Sequence, residues 1–235
     1  MNKISICTVC MNRATHLYET LPVNISDNTG HPNIEFIILD YNSKDGLEDW
    51  AKENLQEHIK SGLVKYYRTC EPEYFSMTHS KNMLVKLASG NINCIVDADN
   101  YAGPDYANWV DSVFGNTGNK IIITTLRAGS APYKDQGGKI CFLKDHFNSV
   151  RGFDEEFTSH GVDDVDIINR LEQAGGTRVF IEEQKYLKYI GHSDTERLKN
   201  YAMANKLVSV YLMESTIKNN TKVLYLLNDN SFFEV

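Results

Sequence analysis

A chain of 235 residues, 42% hydrophobic, has enough apolar material for one packed core, and 31 acidic against 24 basic side chains leave it with a net charge of −7. That charge excludes nucleic acid as the expected partner, because a phosphate backbone selects basic surfaces. No apolar run approaches the roughly 20 residues that span a bilayer, and the opening M-N-K-I-S-I-C-T lacks the long apolar stretch of a secretory signal, so a soluble, cytoplasmic protein is expected.

Residues 4–10 (I-S-I-C-T-V-C) read as a first strand. Cys7 and Cys10 form a C-x-x-C inside it, yet a redox C-x-x-C opens a helix, and a spacing of three on a strand sends the two thiols to opposite faces. Five cysteines without the dense spacing of a disulfide scaffold are expected to be buried small hydrophobes in a reducing compartment. Asn12 and Arg13 lead into a helix around residues 16–21 that should end near Pro22. A second strand over residues 34–40 finishes on Asp40, and N-S-K-D-G at 42–46 is a turn cluster. Good helix formers in a helical apolar pattern occupy 47–60, and 63–67 is a third strand. Ser76 or Thr78 caps the next helix, which stops at Gly90.

Residues 93–101 (N-C-I-V-D-A-D-N-Y) organise the rest. The first half is short, apolar and β-branched, as suits a buried strand. Asp97 and Asp99 follow, spaced by two, so on an extended backbone both carboxylates point the same way. A paired oxygen site at a strand's carboxyl end is suited to Mg²⁺ or Mn²⁺ with substrate phosphates. The plainer reading of D-A-D is a helix cap or a solvated turn. An EF-hand is excluded, since Ala102 and Asn108 stand where its Gly and Glu belong. A D-x-D-x-T phosphatase motif is excluded by Tyr101. Strands alternating with helices imply right-handed crossovers and a mostly parallel, Rossmann-like sheet covered on both faces. Neither G-x-G-x-x-G nor G-x-x-x-x-G-K-[ST] is present.

After Pro104 a helix through Trp109 and Val113 leads to a β-branched strand over 120–126. The turn-rich stretch 128–138 (A-G-S-A-P-Y-K-D-Q-G-G) is expected to be a mobile lid or acceptor loop, and 139–143 returns as a strand. Residues 151–171 carry Asp163, Asp164 and Asp166 just ahead of the apolar positions Ile167, Ile168 and Leu171. Acids at a helix N-terminus complement its dipole, but three in four residues exceed what capping needs. A strand over 177–181 precedes Y-I-G-H at 189–192, and the remainder is expected to be mainly helical, with a short apolar run at 223–227.

A strand ending in Asp40 before N-S-x-D-G, the S-K-N at 80–82, the D-A-D, and G-F-D-E followed by G-x-D-D-x-D together resemble the family 2 glycosyltransferases. The late block, with His192 downstream, is similar to the galactosyltransferase-like and chondroitin-polymerase-like branches. The resemblance covers roughly residues 4–195. It implies a GT-A fold over 1–195, with 196–235 as a helical extension packed on the same domain. It implies an inverting, metal-dependent hexosyltransferase that moves a sugar from a UDP-sugar to a hydroxyl of a glycan or lipid-linked acceptor in polysaccharide biosynthesis. Peripheral attachment to the inner membrane face is compatible with that acceptor. Carried over residue by residue, Thr8, Arg13, Asp40, Lys81 and Asp97 meet the nucleotide-sugar: Asp40 the uracil, Thr8 close to the base, and Asp97 the ribose or sugar. Lys81 stands for the arginine of the family's A-R-N block, keeping the charge but not the fork of a guanidinium. Asp99 and His192 hold Mn²⁺ or Mg²⁺, the alternative for His192 being a structural histidine. Asp164 is the general base, and Asp163 stands where the family usually has glutamate.

Two other functions compete. A sugar nucleotidyltransferase shares the core but opens with a Gly-rich basic loop after its first strand, where this chain has Met11-Asn12-Arg13. A binding module without turnover is the other, and the presence of both Asp99 and Asp164 argues against it.

Overall fold

The computed structural model describes residues 2–117, 120–126, 137–157, 163–193, 196, 199–201, 224–226 and 231–234. In β1 (Ile4–Cys10) alternation sends Ile4, Ile6 and Cys10 into the apolar layer on one face and Cys7 and Val9 into the layer on the other. The C-x-x-C thiols are therefore separated by the sheet. β2 (Ile34–Tyr41), β3 (Val64–Thr69) and β4 (Ile92–Ile95) join β1 in the parallel order β3-β2-β1-β4. Strands apolar on both faces need cover on both. α1 (Ala14–Asn28), α2 (Leu47–Asn54), α3 (Gln56–Lys60) and α5 (Tyr106–Thr117) supply one layer through Leu17, Leu47, Ile59 and Val110. α4 (Met77–Leu87), α6 (Lys144–Ser149) and α7 (Asp163–Gln173) supply the other through Leu84, Phe147 and Ile167.

Beyond β4 the sheet continues as β6 (Ile140–Leu143), β5 (Ile121–Thr124) and β7 (Thr177–Phe180). β6 runs antiparallel to β4, pairing Ile140 with Ile95. The residues that enter β6 consequently lie beside those that leave β4. β1 is flanked by β2 and β4, the point where the crossovers change direction, and such sheets bind ligands in the crevice at their strands' carboxyl ends.

Several local expectations are corrected. α1 does not stop near Pro22 but contains it and runs to Asn28. Asn24 accepts from the Ala102 amide at 2.7 Å and donates to the Asn100 carbonyl at 3.1 Å, while Asn28 accepts from the Ala107 amide at 2.8 Å and donates to the Gly103 carbonyl at 3.1 Å. These four bonds tie the helix to the segment after β4 and outweigh the donor that proline lacks. The single helix expected over 47–60 is α2 and α3, separated at Leu55. Cys70 is exposed, unlike the other four cysteines. The helical extension expected over 196–235 falls mostly on residues outside those described. Within it β8 (Leu224–Leu226) and β9 (Phe232–Glu234) are strands, the first antiparallel to β3 and the second antiparallel to β8. Of the loop expected at 128–138, only 137 and 138 are among the described residues. Among those residues no helix is long and apolar enough to cross a membrane.

At the amino-terminal end of the sheet, Glu35 is buried in β2 and accepts from Ser5 Oγ at 2.6 Å, the Ser89 hydroxyl and amide each at 2.6 Å, the Gly90 amide at 3.2 Å and Lys65 Nζ at 2.9 Å. Burial alone would raise this carboxyl, but the donors from Ser5, Ser89 and Lys65 prevail and hold its pKa at about 2. A folded pKa below the ordinary 4.5 means that the stabilisation is present above that pH and is lost as pH falls toward 2. Glu35→Gln is expected to cost about 3 kcal/mol at neutral pH. In urea unfolding the gap from wild type should shrink by more than half at pH 3; an unchanged gap would contradict this account.

Candidate active site

The D-A-D leaves the strand before its second carboxylate is placed. The Asn100 amide donates to the Asp97 carbonyl at 2.9 Å, closing a turn over 97–100, so strand alternation no longer governs the two side chains. Asp97 stays half-buried while Asp99 is buried. Asp99 Oδ2 lies 2.8 Å from His192 Nε2 and 3.3 Å from Arg13 Nη1, and its Oδ1 accepts from Asn100 Nδ2 at 2.7 Å. Arg13 is delivered by the start of α1. His192 is delivered by an antiparallel bridge of Tyr189 to Asn100 and by the Ile190 amide donating to the Asp99 carbonyl at 2.8 Å.

A divalent cation fits this pair. Oxygen and nitrogen ligands each about 2.1 Å from an ion and at right angles stand about 3 Å apart. Asp99 Oδ2 and His192 Nε2 have that spacing already, and their side chains are only 9% and 4% exposed. No cluster of three or more His, Cys, Asp or Glu groups able to hold a metal is assembled among the described residues; an ion held by this pair would complete its shell with substrate phosphates and water.

β6 brings two neighbours that the sequence did not single out. A side chain at Gly138 would begin 2.4 Å from Asp97 Oδ2, so the glycine leaves the carboxylate in a position from which a Cβ would displace it. Lys139, 1% exposed, donates Nζ to the carbonyls of Tyr101 and Tyr186 and so braces the segment after the D-A-D. Burial lowers its pKa to about 8 against the pull of Cys141, Asp97 and Asp99.

The S-K-N of α4 faces the late block. Ser76 caps this helix, accepting from the His79 amide. Asn82 donates to the Phe153 carbonyl at 2.9 Å and to Glu155 Oε1 at 2.7 Å, and accepts from the Phe153 amide at 2.8 Å. Lys81, fully buried, places Nζ 2.5 Å from Asp164 Oδ1, 3.2 Å from Asp163 Oδ2 and 5.1 Å from the centre of the Phe153 ring. Of the residues expected to meet the nucleotide-sugar, Lys81 is the one whose ammonium lies between two carboxylates with no exposed surface. Burial would lower the ammonium's pKa, but Asp164 and Asp163 raise it well above the ordinary value and keep it charged. Asp164 is raised well above the usual carboxylate range, first by burial and then by Asp163 and Asp97, against the opposing pull of Lys81. Of the two acids, the Asp163 side chain is 2% exposed and the Asp164 side chain 16%. Asp166 turns away and pairs with Arg170 at 2.5 Å, while Arg170 also donates to the Val150 and Gly152 carbonyls.

Two further expectations are altered. Thr8 is buried and donates to the Val96 carbonyl at 2.8 Å, fastening β4 to β1. Asp40 has no exposed surface for the uracil contact implied for it: its oxygens accept from the Ser43 amide and from Tyr66 Oη, each at 2.7 Å, with Arg68 Nη1 at 3.6 Å. It ties β2 to β3 and to the turn after β2.

Besides Lys139, sequence reasoning missed His16 and Tyr201. The His16 ring stands edge-on to His192 with centroids 6.2 Å apart, and its Nδ1 is buried without a hydrogen bond. Its position one turn after Arg13 was the available signal. Tyr201 is buried edge-on against Phe75, 5.5 Å between centroids, while Asn200 donates to the Met11 carbonyl at 2.7 Å and accepts the Phe75 amide on its own carbonyl at 2.7 Å. Burial and then Asp163 raise the Tyr201 phenol above its ordinary range, which sets this residue beside the late block; nothing in its sequence neighbourhood announced it.

The profile described as Glycosyl transferase family 2 matches residues 5–157, and the one described as N-terminal domain of galactosyltransferase matches residues 125–201. No curated protein matches the chain. Among solved structures, the mannosyltransferase PcManGT from Pyrobaculum calidifontis in complex with GDP-Man and Mn²⁺ is similar at TM-score 0.60 and 17% identity, over 77% of this chain and 55% of that one. GalNAc-T7 with UDP, GalNAc and Mn²⁺ is similar at 0.62 and 17%, over 77% of this chain and 42% of that one. TarS from S. aureus is similar at 0.61 and 13%, over 78% of this chain and 36% of that one. The chain thus spans from about a third to just over half the length of these structures, and the likeness is one of fold.

The Asp99–His192 pair generates a direct expectation. Asp99→Asn and His192→Gln should each weaken Mn²⁺-dependent UDP binding by about tenfold or more in calorimetric titration, with thermal midpoints within a few degrees of wild type. Unchanged affinity in both variants would remove the pair from the metal site.

Proposed function

This chain belongs to glycosyl transferase family 2, and from that premise we propose that it is an inverting, metal-dependent hexosyltransferase, moving a sugar from a UDP-sugar to a hydroxyl of a glycan or lipid-linked acceptor. The observation that carries this reading is a raised, partly exposed carboxylate, Asp164, at the N-terminus of α7, on which Asp97 acts from the same turn that carries Asp99 and its partner His192. Transfer by a single displacement needs one base on the acceptor side and charge neutralisation on the leaving side. Asp164 is suited to the first task and the Asp99–His192 pair to the second.

On the leaving side, Asp99 and His192 hold Mn²⁺ or Mg²⁺, and Arg13 lies close enough to contribute to a diphosphate. A cation bound there supplies Lewis-acid neutralisation of the departing diphosphate. Asp97, the more exposed acid of the D-A-D, meets the donor's ribose or sugar, and Gly138 leaves it the room to do so. Thr8 and Asp40 shape the floor under the nucleotide without an open atom of their own. On the acceptor side, Asp164 takes the proton of the attacking hydroxyl. Asp163 is too enclosed for that task and acts on Asp164 as a neighbouring charge. The positive end of α7 favours ionised acids at this point, while burial and the other carboxylates raise the pKa of Asp164, bringing it closer to working pH as a base requires. An acceptor in polysaccharide biosynthesis and a peripheral position on the cytoplasmic membrane face belong to the same proposal.

Asp164 works only when ionised, and its pKa is raised. The acid limb of kcat/KM should therefore lie well above pH 4, with activity rising as pH increases through it. Asp164→Asn should lower kcat by about 10²–10⁴-fold and leave UDP-sugar affinity nearly intact. UDP release that survives in Asp164→Asn but is lost in Asp163→Asn would exchange the roles of the two acids.

A further inference from the structure

We infer that Lys81 is the positioning residue of the general base: its ammonium, closed off from solvent and shared between Asp163 and Asp164, fixes the orientation of Asp164 and sets the pH at which that acid can accept a proton. This inference rests on the reading of Asp164 as the base. Nζ is fully covered, 2.5 Å from Asp164 Oδ1 and 3.2 Å from Asp163 Oδ2. A charge so enclosed cannot meet a donor phosphate without abandoning two carboxylates, one of them buried, and an uncompensated buried charge is among the costliest arrangements a protein can hold. Lys81 is itself held in place, because the adjacent Asn82 clamps both the amide and the carbonyl of Phe153, whose ring lies 5.1 Å from the ammonium.

The distribution of charge gives the ammonium a task beyond stability. The groups acting on Asp164 are Lys81 from α4, Asp163 from α7 and Asp97 from the turn after β4, with Tyr201 acting on Asp163 from the segment at 199–201. One cation faces three carboxylates. Without it, the like charges and the burial would keep Asp164 protonated at working pH and useless as a base. With it, one Asp164 oxygen is engaged and the side chain remains partly exposed.

The test is a carboxyl ¹³C NMR titration of aspartate-labelled protein, with the Asp164 signal assigned by its loss in Asp164→Asn. It is paired with UDP release from whichever of UDP-glucose, UDP-galactose and UDP-N-acetylgalactosamine the wild-type protein turns over with Mn²⁺. In Lys81→Met the Asp164 midpoint should rise by about one pH unit or more, and kcat at pH 7 should fall by about tenfold or more while donor KM changes less than about threefold. Lys81→Arg keeps the charge and should return the midpoint toward wild type. Asp163→Asn removes the competing acid and should move the midpoint the opposite way, downward, which keeps the inference open to refutation if Lys81→Met fails to fold. A raised donor KM at unchanged kcat in Lys81→Met would make Lys81 a phosphate ligand and overturn the inference, as would an Asp164 midpoint that moves in neither variant. Turnover that survives in Asp164→Asn would instead overturn the reading of the base, whatever the Lys81 variants do.

Discussion

The structure depends on a buried ammonium that must satisfy two acids at once. Lys81 carries a positive charge into a place closed off from solvent, and breaking such a pair typically costs about 3–5 kcal/mol because the surviving charge is left without a partner. α4 therefore cannot slide against α7, and the G-F-D-E turn is gripped by the neighbouring Asn82. Two acids against one base leave an excess negative charge. The N-terminus of α7 accommodates part of it, and of the two acids Asp164 is the one left partly exposed. In the proposed function, that exposure is what lets Asp164 rather than Asp163 act as the base.

The surroundings of the D-A-D turn follow from a change of strand direction. Because β6 opposes β4, its first residues arrive beside the D-A-D turn rather than at the far end of the sheet. That register brings Gly138 against Asp97 and sends Lys139 under the backbone of Tyr101 and Tyr186. The Asn100–Tyr189 bridge then carries His192 onto Asp99. Three segments distant in sequence are fixed around one turn by backbone pairing, so the site's geometry is set by the sheet and not by flexible side chains.

Much of this was legible in the chain. The short apolar runs I-S-I-C-T-V-C and I-E-F-I-I-L-D read as strands, their alternation with helices announced a sheet covered on both faces, and the split of Cys7 and Cys10 across it followed from counting. Asp99, His192, Asp163 and Asp164 were named from motif order. What escaped was what only the third dimension decides. Pro22 reads as a stop, and the four bonds of Asn24 and Asn28 that override it are made to residues some 75 positions away. Lys81 resembles a phosphate ligand by its place in S-K-N, and its partners lie more than 80 residues downstream. Asp40 ends its strand in the way a base-binding acid would, but Tyr66 and Ser43 occupy its oxygens. Lys139, next to a turn-rich stretch, has no local signal that separates a buried brace from an exposed lysine.

The central claim is that one carboxylate, Asp164, acts as a base and that no protein nucleophile intervenes, so the sugar is displaced once and its configuration inverts. The most direct measurement is ¹H NMR of the anomeric proton as the protein, with Mn²⁺, transfers the sugar of an α-linked UDP-sugar to water or to an acceptor, recorded before mutarotation. A nascent β-anomer is the result this account requires. A nascent α-anomer would contradict it, since a single displacement inverts the configuration and cannot give retention.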